Sequence, residues 1–247
     1  MWYFRLTERS VNRNKTQHTQ TEYRRTEHEN IPLSKPVSLN VRNEKMSRNK
    51  KINEKIKDAR RGQILSYALR PFAIKGFAAT KISALCEATN ISKGLFYLYF
   101  PSKEAIFTEL IGDAFDKINT ACRELEALPI SPPEKIKLAI EGLLRDLAEN
   151  ENSALYYLLV AQATVSDATP KKTKEIIHKE NNLPYEVITR IITEGQKAGT
   201  IHEHDPDEMA LVFWTSVSGL AINKAVHGNK FKAPDPSILT NIFLKDI

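Results

Sequence analysis

Ile82-Ser83-Ala84-Leu85-Cys86-Glu87-Ala88-Thr89-Asn90-Ile91-Ser92-Lys93-Gly94-Leu95-Phe96-Tyr97-Leu98-Tyr99-Phe100 reads as two short helices joined by a three-residue turn. Ile82, Leu85 and Cys86 fall on one helical face behind Thr80, a good N-cap residue. Ala84 and Ala88 are small enough for a second helix to cross close by at a steep angle. The turn needs a left-handed residue, and Asn90 is the non-glycine type that tolerates that conformation best. Ser92 then caps the second helix, which turns Ile91, Phe96 and Phe100 inward and presents Ser, Lys, Gly and two Tyr outward. Such a helix-turn-helix has the shape and chemistry to enter a DNA major groove. An ordinary pair of packed helices is the alternative, because few residues define the motif.

A wider set of residues, in unbroken order over about fifty positions, resembles the N-terminal domain of TetR-family transcriptional regulators. The set comprises Arg60-Arg61-Gly62-Gln63-Ile64-Leu65 through Ala68-Leu69 and Phe72, Lys75-Gly76-Phe77, Thr80, Ile82, Ile91-Ser92-Lys93-Gly94, Phe96 to Phe100, and Ser102-Lys103-Glu104-Ala105-Ile106-Phe107. A second, weaker match to that family's regulatory domain is Glu194-Gly195-Gln196-Lys197-Ala198-Gly199 with Asp205-Pro206 and the apolar helix after it. The resemblance implies a homodimeric DNA-binding regulator, most often a repressor, released from its operator by a small, mostly apolar ligand.

The resemblance also implies DNA roles residue by residue. Thr80 and Ser83 approach phosphates, as does Lys103 at the start of the next helix. Ser92, Lys93 and Gly94 lie at the tip, with Lys93 and Gly94 at base edges, and Tyr97 and Tyr99 reach flanking phosphates unless they pack as aromatics with wet hydroxyls. Leu95 stands where the family habitually has Thr. It can touch a thymine methyl but cannot donate a hydrogen bond.

Charge supports the same polarity. The 247-residue chain carries a net charge of +6, unevenly placed. Residues 1–46 hold nine basic and five acidic side chains, residues 47–105 twelve and four, and residues 106–247 fifteen and twenty-one, giving +4, +8 and −6. The basic end faces a polyanion and the acidic body is kept off it. The expected organisation is a disordered basic extension over 1–46, a three-helix DNA-binding domain over 47–105 and a helical ligand-binding and dimerisation domain over 106–247. The extension lacks an amphipathic period and contains Ile31-Pro32 and Lys35-Pro36. It is either an over-extended start ahead of Met46 or a basic arm adding phosphate contacts.

Beyond it the pattern is all-α, with no strand signal. A helix is predicted over Asn53 to Lys75, ended by Gly76 as C-cap and kinked near Tyr67 by Pro71. After Pro101, Ser102 caps a long connecting helix bearing Phe107, Leu110, Ile111, Ala114, Phe115, Ile118, Cys122 and Leu125. Helices follow at about 134–148, 153–165 and 169–198, the last interrupted near Asn181-Asn182-Leu183-Pro184. Residues 207–226 are apolar around nearly the whole circumference, so the helix must be buried on all sides, either in the domain centre or against another subunit. In the resembled family the last two helices form a four-helix dimer interface. The candidates are Trp214, Val217, Ser218, Ala221, Leu239, Ile242 and Phe243.

Candidate ligand-lining residues in the body are Phe115, Tyr156, Tyr157, Gln162 and Trp214, large surfaces with a few polar handles, although core packing is the favoured reading of each. Cys86 and Cys122 match no metal spacing and read as small buried thiols in a reducing cytoplasm, with a redox disulfide as the alternative. His202-Glu203-His204 reads as a solvated turn rather than a metal site. No cofactor and no metal are expected. No signal core or run of eighteen apolar residues is present, which points to the cytoplasm. No Ser-His-Asp spacing, phosphate-binding glycine loop or paired carboxylate motif suggests an enzyme.

Overall fold

A computed structural model describes residues 38–245. Residues 1–37, which include most of the expected basic extension, lie outside the described residues. Two compact units are present. In one, residues 38–62 form a helix; the other runs from Gln63 onward. The helical stretch starts at Ser38, upstream of the start at about Asn53 expected from the sequence.

Ten α-helices occur among the described residues: α1 Ser38–Ala79, α2 Ile82–Thr89, α3 Lys93–Tyr99, α4 Lys103–Ala127, α5 Pro132–Glu149, α6 Ser153–Val165, α7 Lys171–Glu180, α8 Asn182–Lys197, α9 Pro206–His227 and α10 Pro236–Phe243. A short 3₁₀ turn, Gly228–Lys230, follows α9. No strand occurs among the described residues beyond an isolated bridge between Ile201 and Leu244. The all-α reading therefore holds.

Side chains at the helix starts explain many of the boundaries. Ser92 and Ser102 each accept a hydrogen bond at 3.1 Å from the backbone N–H three residues on. Asp205 accepts from the N–H groups of Asp207 and Glu208, and Asp235 from that of Ser237. At α5, the Glu134 carboxylate takes the N–H of Ser131 at 2.9 Å, which holds α5 at its first turn. Pro71 does not break α1. The departure from helical geometry comes at Gly76, with φ 78° and ψ 174°, a conformation open essentially to glycine alone.

The expected division at 105/106 does not separate two cores, because α4 crosses it. Ile106, Phe107, Leu110 and Ile111 pack with Ile64, Leu69, Phe72, Phe96 and Phe100, and the same cluster takes in Leu155 and Leu159 of α6 and Ile177 of α7. Farther along α4, Cys122 and Leu125 join a second cluster with α5, α8, α9 and α10. One helix thus anchors both cores.

Within the chain, α9 is only half covered. It is buried on one side only, through Met209, Ala210, Phe213, Trp214, Val217, Ala221 and Lys224, packing on α6 and α8. Leu211, Val212, Ile222 and Val226 are exposed. By length and composition alone α9 could cross a membrane, but its buried half is that of a core helix. Of the dimer candidates, Trp214, Val217, Ala221, Leu239 and Phe243 are buried inside the chain's own core, so they cannot form a surface. Ser218 is half-buried and Ile242 exposed. An all-round apolar helix has no sequence signal saying which half faces home.

Candidate DNA-reading head

The head is built around a turn. Asn90 adopts φ 51° and ψ 49°, the left-handed conformation its side chain tolerates, and its N–H returns to the carbonyls of Cys86 and Glu87. The N–H of Ile91 also bonds the Cys86 carbonyl at 3.0 Å. These bonds close α2 and redirect the chain into α3. Leu85, Cys86 and Thr89 supply the buried side of α2, whereas Ala84 and Ala88 are exposed and do not form the crossing point expected of them.

From α3, Phe96 and Phe100 are fully buried, their rings 6.0 Å apart, and they hold the helix on the core. Ser92, Lys93, Gly94, Leu95 and Tyr97 are exposed together, as is Ser83 on α2. Tyr97 stands edge-on to Phe96 at 5.8 Å, with its outer part in solvent. Tyr99 is partly buried against the core, which favours its packing role. The positive charge of Lys93 is near enough to Cys86 to oppose the upward push that burial gives that thiol. Sequence reasoning missed Leu98, which at 73% exposed is the most exposed large apolar side chain of the head. The signal was available: Leu98 is two positions from each of the buried residues Phe96 and Phe100, on the far side of a helix.

Two expected phosphate contacts are placed differently. Thr80 is buried, and its hydroxyl faces the Gly76 carbonyl at 2.8 Å and the Pro71 carbonyl at 3.1 Å. It is not the cap of α2; Lys81 occupies that position. The Lys103 ammonium donates to the carbonyl of Phe77 at 2.8 Å and lies 4.3 Å from the centre of the Phe77 ring. Both side chains therefore seal the end of α1, where carbonyls lack helical partners. The Thr80 hydroxyl is thereby turned to the chain's own backbone, whereas Lys103 stays half-buried.

The candidate ligand residues are divided between cores. Phe115 and Tyr156 belong to the cluster that includes the head, and the ammonium of Lys117 lies 4.1 Å from the centre of the Tyr156 ring. Gln162 reaches back to the head, its side-chain nitrogen 3.5 Å from the Ile74 carbonyl. Trp214 lies in the second cluster against Phe213 and Tyr185. Tyr157 borders the second and third clusters, its hydroxyl pKa pushed up chiefly by burial and further by Asp146. The five do not converge on one place. Four buried side-chain polar atoms of the body, Asn119 Oδ1, Glu124 Oε2, Thr169 Oγ1 and Trp214 Nε1, have no hydrogen-bond partner, and the sequence analysis did not single out Asn119.

Among the described residues no group of three His, Cys, Asp or Glu side chains is arranged to hold a metal. In the His202-Glu203-His204 segment, the backbone carbonyls of both histidines accept from Gln196 at 2.8 Å, and Glu203 pairs with Lys245. Cys86 and Cys122 are both buried free thiols.

Residues 64–110 match the profile of the bacterial regulatory proteins of the tetR family. The HTH-type transcriptional regulator YuxN of Bacillus subtilis, itself uncharacterised, is 26% identical over 135 residues, 55% of this chain and 46% of that one. The chain thus spans less than half the length of this curated relative. The regulator MbdR from Azoarcus sp. CIB has a similar fold, with a TM-score of 0.63 at 22% identity over 72% of this chain and 95% of that one. So does AibR, solved with isovaleryl coenzyme A and operator DNA, with a TM-score of 0.58 at 15% identity over 74% of this chain and 94% of that one. At these identities the structures speak for the fold alone. The residues that build the head are therefore similar to the DNA-binding segment of the bacterial regulatory proteins of the tetR family.

Proposed function

We propose that this chain is a sequence-specific DNA-binding transcriptional regulator of the cytoplasm rather than an enzyme, acting as a homodimeric repressor that a small, mostly apolar ligand releases from its operator. The observation that carries the reading is α3: a helix seated on Phe96 and Phe100 that holds Ser92, Lys93, Gly94 and Tyr97 in solvent within a strongly basic stretch. AibR, of similar fold, was solved with operator DNA.

Self-association is supported by exposed apolar side chains on the last two helices. Leu211, Val212, Ile222 and Val226 of α9, with Ile238 and Ile242 of α10, are each at least 42% exposed. A second copy would bury them and set two heads at the spacing of successive major grooves, about 34–36 Å. A ligand is supported by Asn119 Oδ1 and Trp214 Nε1, an acceptor and a donor left unpartnered in an apolar body. Ligand binding would favour a conformer in which α4, which packs in both cores, shifts the heads out of register.

The test is a titration of the full chain against duplexes from its own promoter at several salt concentrations. Affinity that falls steeply as salt rises is expected. Absent or salt-insensitive duplex binding rejects the reading.

A further inference from the structure

We propose that Leu95 and Leu98 form an apolar reading edge on α3 that recognises the C5-methyl groups of thymines, so that the preferred half-site carries thymine opposite both. The inference rests on the DNA-binding reading above and adds the chemical feature of the bases that is read.

The direction of the edge follows from helix geometry. Phe96, fully buried, marks the inward side of α3. At about 100° per residue, Gly94 and Leu98 sit roughly 160° and 200° from it, on the outermost ridge. Gly94 contributes no side chain to that ridge. Leu98, 73% exposed, is therefore its most prominent group, and Leu95, 37% exposed, is its neighbour at three-residue spacing. Tyr97 lies on the opposite flank, leaning on Phe96. Lys93 is the single charged residue in α3, and it stands at the start of the helix rather than beside Leu98.

Two exposed leucines on a helix in a segment of net charge +8 call for an apolar partner that is carried by a polyanion. Duplex DNA meets both conditions. The major groove displays donors and acceptors on every base pair and one apolar group, the thymine methyl. A leucine against that methyl removes two apolar surfaces from water. Against guanine O6 and N7 or the cytosine amine, the same leucine would displace water and leave those atoms without a hydrogen bond. The pair thus selects thymine by attraction and rejects G·C pairs by what it cannot supply.

The experiment uses duplexes selected by the full chain from a random pool, made in two forms: one with thymine and one with deoxyuridine at every thymine. The second keeps base pairing and charge and lacks only the methyl. The wild-type chain is expected to bind the thymine form more tightly by on the order of tenfold, the effect of burying a few methyl groups. Leu98→Ala and Leu95→Ala are each expected to bring the ratio toward one, with affinity for the deoxyuridine form little changed and the helical circular dichroism retained. Equal wild-type affinity for the two forms, with salt-dependent binding intact, overturns the inference and leaves the DNA-binding reading standing. A thymine preference undiminished in both variants overturns it too. If Leu98→Ala changes the oligomeric state and not the ratio, the ridge is a contact between copies and the inference falls. Recovery of no enriched duplex at any salt rejects the DNA-binding reading along with it.

Discussion

The ammonium of Lys103, at the first residue of α4, donates to the carbonyl oxygen of Phe77 at 2.8 Å while lying 4.3 Å from the centre of the same residue's ring. One side chain thereby ties the end of α1 to the start of the helix that runs through both cores. The Phe77 ring in turn meets Phe107 of α4 at 5.1 Å, so the polar and aromatic contacts fasten the same joint. Lys103→Met keeps most of the stem and removes the charge. A loss of about 1–2 kcal/mol is expected from the hydrogen bond and cation–π contact together. Urea unfolding monitored by circular dichroism checks it, and an unchanged midpoint would mean that the ammonium serves only an outside partner.

Gly76 is held at φ 78°, ψ 174° with the Gln162 side-chain oxygen 3.2 Å from where a Cβ would stand. Gly76→Ala should cost about 1–3 kcal/mol, mostly as backbone strain. Since the strain is local, adding Gln162→Ala should recover little of it. Full recovery of the melting temperature in the double variant would show that side-chain crowding was the cause.

Burial pushes the Cys122 thiol up to about 12, from an ordinary value of 9.0. The unfolded chain releases this proton before the folded chain does. The stabilisation is thus fully present below about pH 9 and is lost as pH rises toward 12, with Tyr157 acting in the same direction. Cys122→Ala should flatten the alkaline decline in stability, whatever its effect at neutral pH. A thiol-reactive dye at pH 8 should label Cys122 only after denaturant is added, and rapid labelling of the native chain contradicts this account.

Glu126 behaves oppositely. Its carboxylate accepts from two nitrogens of Arg190, at 2.6 and 3.1 Å, and this pairing draws its pKa below the ordinary 4.5. Its contribution is present above that value and is lost as pH falls through the lowered one. Both side chains are more than a third exposed, so the effect is screened. Glu126→Gln should soften the acid limb of the stability profile in dilute buffer and do so less in 1 M salt. An equally large change at both salt concentrations refutes the screened pairing.

Ile222 and Val226 are exposed on α9, one turn apart, at 42% and 71%. Ile222→Asp should shift sedimentation toward the monomer by more than tenfold in concentration, because a charge would be buried against a second copy. The fold should survive, since the side chain leaves the protomer core untouched. An unaltered sedimentation profile removes this face from any dimer.

The reading head was legible in the sequence wherever its physics is local. Asn90 turning left-handed and Ser92 and Ser102 capping the helices after them involve groups within four residues of one another, and the spacing of Phe96 and Phe100 fixes which side of α3 is buried. Residue type and spacing are sufficient for such arrangements. The fates of Thr80 and Lys103 were not legible, because a hydroxyl or an ammonium can serve a phosphate or a carbonyl equally well. Only the tertiary approach of α4 to the end of α1, across 26 residues of chain, gave Lys103 its carbonyl. The same holds for α9: with apolar residues all round, which half became core was decided by where α6 and α8 packed, leaving Leu211, Ile222 and Val226 outside and drawing Trp214, Val217 and Ala221 in. Short-range hydrogen bonding and periodicity determine each helix; the choice among equivalent partners belongs to the packing of elements distant in sequence.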